Sequence, residues 1–82
     1  MSASELEDIL ALLESCDGWQ ILKDTTEPSG KKYLAKVWKT LPGAALPAGR
    51  HSYGATIREA VTDALANWNQ LLAEVTGNVK SA

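Results

Sequence analysis

The 82-residue chain has no Phe and only one Cys, one His and one Met. A single Cys excludes an intrachain disulfide framework. One Cys with one His falls short of the ligand set of a four-coordinate zinc site. The same scarcity weighs against hydrolytic chemistry. That chemistry needs nucleophile, base and orienting group within hydrogen-bond reach, and His51 is the single imidazole. No stretch approaches the ~18 apolar residues of a membrane span. Met1-Ser2-Ala3-Ser4-Glu5 has neither the basic start nor the apolar run of a secretory signal. Gly43, Gly49 and Gly54 lack phosphate-loop spacing, and no Lys-Ser/Thr follows them. One unpaired Cys suits a reducing compartment, so the expected location is cytoplasmic.

What is present is ordinary for a globular domain: 45% hydrophobic and 22% charged residues, too apolar for disorder. Two domains do not fit, since independent domains rarely fall below about 50 residues. Residues 1–77 are expected to form one domain, with 78–82 as a flexible carboxyl-terminal tail. A domain of this size buries only about 60–65% of its unfolded surface. Its thin stability margin makes a homodimer the expected state.

The net charge of −2 hides a segregation. Glu5, Glu7, Asp8, Glu14 and Asp17 stand in residues 1–17 without a Lys or Arg. Lys31, Lys32, Lys36, Lys39, Arg50 and Arg58 stand in residues 28–58 without an Asp or Glu. The two regions either pack together or face different partners, another copy included.

Residues 4–16 read as a helix. Leu6, Ile9, Leu10 and Leu13 recur at helical spacing, with Leu12 and Cys16 widening the stripe. Ser4 with Glu7 has capping-box spacing, and Gly18 is the expected stop. Residues 19–25 read as a strand with Trp19 and Ile21 on one face. Glu27-Pro28-Ser29-Gly30-Lys31 is dense in turn formers. Residues 32–40 form the second strand of an antiparallel hairpin, with Tyr33, Ala35 and Val37 toward the core and Leu34, Lys36 and Trp38 away from it. Residues 41–55 read as a long loop, with room for a short third strand at Arg50–Tyr53; Pro47 argues against a central strand before it. Residues 57–75 form the last helix, opened by Thr56 with Glu59 and stopped by Gly77. The expected fold class is therefore α+β, in the order α-β-β-(β)-α, with two helices on one face of a small antiparallel sheet.

Most singular side chains have plain readings. Cys16 reads as a small buried residue, the helical carboxylates as a solvated face, and Trp68 and Trp19 as core. His51 reads as a solvated loop side chain, or as a contact or pH-sensing group. The basic hairpin and loop carry more. Lys31, Lys32, Lys36, Lys39 and Arg50 stand among Tyr33, Trp38, His51 and Tyr53. Such cations decorate edge strands against aggregation, steer acidic protein partners, or neutralise phosphates beside rings that stack on bases. Trp38, pointing away from the core, is the natural interface anchor. The candidate binding residues are Lys36, Trp38, Lys39, Arg50, His51 and Tyr53. No catalytic residue, metal or cofactor is expected. The expected function is non-enzymatic protein binding, with nucleic-acid binding or antitoxin-like regulation as the alternative; no membrane role is expected.

Gly54-Ala55-Thr56-Ile57-Arg58-Glu59-Ala60, after a helix and a tryptophan-started strand, resembles the "(A/G)-x-T-x-x-E-A" opening of the last helix in the phage αβα-sandwich domain. That resemblance implies a small phage or prophage accessory protein, one kind of which inhibits a host defence system by binding it. It transfers no catalytic residues. Double-stranded-RNA-binding domains share the α-β-β-β-α order, but their basic cluster at the start of the last helix is reduced here to Arg58. HicB-like antitoxins show a similar helix opening but begin with strands.

Overall fold

The computed structural model describes residues 3–26 and 28–81, with side chains for 4–26 and 28–76. The elements are α1 (Ala3–Leu13), β1 (Gly18–Lys23), β2 (Tyr33–Thr40), β3 (Pro47–Gly54) and α2 (Ile57–Ser81). The strands form one antiparallel sheet in the order β1-β2-β3, so β2 is central and the other two are edges. The α+β class and the two helices on one sheet face are as the sequence predicts.

Strand alternation decides which side is covered. Ala35 and Val37 are buried on β2. They meet Ile9 and Leu13 of α1 and Ala60, Val61, Ala64 and Trp68 of α2 in one core. Full burial of a side chain such as Ile9, Leu13, Val37 or Val61 stabilises by roughly 1.5–3 kcal/mol. The small residues Ala35, Ala60 and Ala64 let helix and sheet approach closely. Trp68 keeps its indole N–H satisfied by donating to the Ala48 carbonyl at 3.2 Å. Lys39 lies over the Trp68 ring at 4.7 Å.

Several boundaries differ from the sequence reading. α1 ends at Leu13, not Cys16. Glu14 N–H and Cys16 N–H donate to the carbonyls of Ala11 and Leu13, tightening the last turn. Ser4 falls inside the first turn, because the helix begins at Ala3. Gly18 opens β1 and does not merely stop α1. The Asp17 carboxylate extends the hairpin, accepting from Thr40 N–H at 2.8 Å and Thr40 Oγ1 at 2.6 Å. In the β1–β2 connection Asp24 accepts from Thr26 N–H and Oγ1, which holds its carboxyl below the usual range. Glu27 of that turn lies outside the described residues.

The largest correction concerns the loop expected over 41–55. Only residues 41–46 connect β2 and β3, and the third strand runs the full Pro47–Gly54. Pro47 stands at the first position of an edge strand, where its missing N–H removes no central pairing. Gly54 is buried against the start of α2, and a Cβ there would sit 2.4 Å from Ala60 N. Thr56 caps α2 as its spacing predicts, accepting from Glu59 N–H at 3.1 Å. Gly77 does not stop the helix, which continues to Ser81.

Candidate functional site

No helix or strand covers the side of β2 that carries Leu34, Lys36, Trp38 and Thr40. Register sets their neighbours. Gly18 and Gly49 flank Trp38, Gln20 and His51 flank Lys36, and Leu22 and Tyr53 flank Leu34. This open face therefore has an aromatic row, a basic row and an apolar row. Leu22 is 40% exposed and Tyr53 36%.

Trp38 lies across the sheet and does not stand off it. A Cβ on Gly49 would meet Trp38 Nε1 at 2.9 Å and Cδ1 at 3.0 Å. A Cβ on Gly18 would meet Trp38 Cε3 at 3.4 Å. The pyrrole edge thus rests over Gly49 and the benzo edge over Gly18. The two glycines leave room for the ring to lie down, and the side chain is half-buried there. Trp38, Lys36, Gly49, Arg50 and His51 line a shallow recess of about 190 Å³.

Arg50 reaches this recess from the edge. Alternation puts it on the helix side of β3, and its Nη1 donates to the Gly49 carbonyl at 2.7 Å. The same side chain lines a second recess with Asn67, Gln70, Leu71 and Glu74 of α2. Lys36 and His51 are the cationic and titratable nitrogen groups of the open face, and no carboxylate stands in its three rows. The carboxylate at its border, Asp17, is taken up by Thr40.

Of the six residues singled out in the sequence, the structure gathers Lys36, Trp38, Arg50 and His51. Tyr53 shares the face one row further along. Lys39 is separated from them: it lies on the helix side, over Trp68. Gly18 and Gly49 were missed. Their part depends on lying opposite Trp38 in two different ladders, which no local pattern displays.

The first helix and the basic middle segment meet at Arg58, whose Nε is 3.6 Å from Glu5 and Nη2 3.7 Å from Asp8. Such exposed pairs contribute about 0–1 kcal/mol. Their consequence is electrostatic: the one cation at the start of α2 is neutralised by α1. A duplex-RNA surface at that helix end would need the opposite. Cys16 is half-buried beside the core, where burial pushes its thiol up despite nearby Lys39. His51 is on the other side of the sheet, so thiol and imidazole form no pair. Among the described residues no three His, Cys, Asp or Glu are grouped to hold a metal, and no helix is long and apolar enough to cross a membrane.

Trp19 is a correction. It was expected in the core, but it is 45% exposed at the edge of the sheet beside α1. No family model, curated protein or solved structure matches the chain.

Proposed function

We propose that this chain is a non-enzymatic protein-binding module whose open sheet face engages an anionic protein surface. One observation carries the reading. Trp38 lies across Gly18 and Gly49, half-buried, and lines a recess with Lys36, Arg50 and His51. A large rigid ring held by its own sheet loses little freedom on docking, and such rings are the usual anchors of interfaces. The surrounding cations steer an acidic partner and set orientation. The likeness to phage accessory proteins supports the same reading, since an inhibitor of a host defence system acts by occupying its target.

The test uses the intact chain as bait for host proteins. Wild type and Trp38→Ala are compared side by side, at low and high salt. Retained proteins should be lost on Trp38→Ala and weakened by salt, while circular dichroism stays unchanged. An identical retained set for both baits overturns the reading.

A second reading rests on the same face. Its rings (Trp38, His51 and Tyr53) stand with Lys36 and Arg50 and with no carboxylate in the rows. Rings for stacking and cations for phosphates are what a single-stranded nucleic acid requires. Retardation of a single-stranded oligonucleotide, with log affinity falling linearly in log salt, assigns the face to nucleic acid. No retardation at low salt removes that reading.

A further inference from the structure

A second tryptophan surface lies on the opposite side of the molecule. α1 turns Ile9 and Leu13 into the core but leaves Leu6 46% and Leu10 42% exposed. Glu7, Leu10 and Ala11 follow one another at i, i+3 and i+4 on one side of α1, and Glu14, in the tightened turn just past its end, continues that side. With the half-exposed Trp19 they line a recess of about 430 Å³. No cation is among these lining residues. Glu5 and Asp8, on the same helix, are turned to Arg58, whereas Glu7 and Glu14 flank the recess.

The chain thus carries two surfaces, each built around a tryptophan, of opposite sign. One sets Trp38 among Lys36, Arg50 and His51; the other sets Trp19 and Leu10 between Glu7 and Glu14. They lie on different layers, the first on the bare side of the sheet and the second on the helix side. One copy cannot close the two on each other, but two copies can. Symmetric pairing of either surface with itself would oppose like charges. Head-to-tail pairing opposes unlike ones.

We infer that a second copy of this chain supplies the anionic partner, the α1–Trp19 recess of one copy docking on the Trp38 face of the next. This rests on the reading of the open face as a binding surface and names its occupant. Such a contact is heterologous. It closes into a ring or continues as a chain of copies according to the rotation between neighbours.

Sedimentation velocity on the full chain, across concentration and salt, tests it. The wild type should rise in mass with concentration and fall back with salt. Trp38→Ala spoils the open face, and Glu7→Lys with Glu14→Lys spoils the helix surface. Each variant alone should associate at least about tenfold more weakly, a loss readable as a shifted midpoint. Their equimolar mixture should form a 1:1 pair of two 8.8 kDa chains and stop there, because one intact surface remains on each. Should Trp38→Ala fail to fold, Lys36→Gln with Arg50→Gln replaces it.

Three outcomes overturn the inference. A wild type that stays monomeric throughout leaves the open face to a different partner, protein or nucleic acid, and that reading keeps its own test. Association that persists in the helix-surface variant shows that the α1–Trp19 recess is not the occupant. Association indifferent to both open-face variants removes the open face from self-association and with it the inference, while the open face keeps its own test against other partners.

Discussion

Trp38 Nε1 lies 2.9 Å from where a Cβ on Gly49 would stand. The glycine is thus part of the tryptophan's seat. On the other flank the corresponding distance, from Gly18 to Trp38 Cε3, is 3.4 Å. This is ordinary contact at its tight limit, so the two flanks differ in what they tolerate.

Gly49→Ala should therefore lift the indole from the sheet or shift β3, costing about 1–3 kcal/mol as an overpacked site does. Gly18→Ala should cost less than Gly49→Ala. Urea unfolding measures both. The Trp38 indole N–H resonance should move strongly in Gly49→Ala and weakly in Gly18→Ala. Equal costs at the two glycines would contradict the asymmetry.

Gly54→Ala should be more damaging. The added methyl would sit 2.4 Å from Ala60 N and 2.9 Å from Ala60 Cα, both backbone atoms. No side-chain rotation relieves that contact, so the first turn of α2 must move off β3. The expected loss is about 3 kcal/mol, at the upper end of overpacking, read as a lowered urea midpoint at unchanged slope.

Trp68→Phe should remove the donor to the Ala48 carbonyl and part of the ring beneath Lys39. The hydrogen bond is worth about 1 kcal/mol, and the smaller ring adds a void in the core. A total of roughly 2 kcal/mol is expected. Lys39→Met tests the cation's share separately, at about 0.5–1 kcal/mol.

The Cys16 thiol is pushed up chiefly by burial, with Lys39 opposing and Asp17 adding to the shift. Alkylation near neutral pH should therefore be slower than for a free thiol. The sign for stability follows. The folded thiol holds its proton more tightly than the unfolded one. Its contribution is full below the unfolded value of about 8.5 and is lost as pH climbs through the higher folded value. Cys16→Ala should flatten that alkaline decline. A decline of the same slope in the variant would show that Cys16 is not its cause.

The hairpin and its faces were legible because period-two alternation over Tyr33–Trp38 coincides with one-sided burial. The capped start of α2 was legible because Thr56 and the apolar stripe after it obey local rules. β3 was not legible at full length. Its Pro47, Gly49 and Gly54 each lower strand propensity, yet each has a place: Pro47 at the start of an edge, Gly49 under Trp38, Gly54 against Ala60. Pairing with the whole of β2 outweighs propensity there. Trp19 misled for the converse reason, since an apolar residue at the start of an edge strand meets only the flank of α1 and stays half-exposed.

Local order therefore came from the chain's own spacing: two amphipathic helices, a hairpin, an acidic beginning and a basic middle. Those features need only neighbours within a few residues. The tertiary structure alone decided what they form together. Register set glycines on both flanks of Trp38, alternation removed Lys39 from the candidate site, and the shared helix layer left one sheet face bare. Each depends on residues far apart in sequence, and such contacts exist only once the ladders and the core have formed.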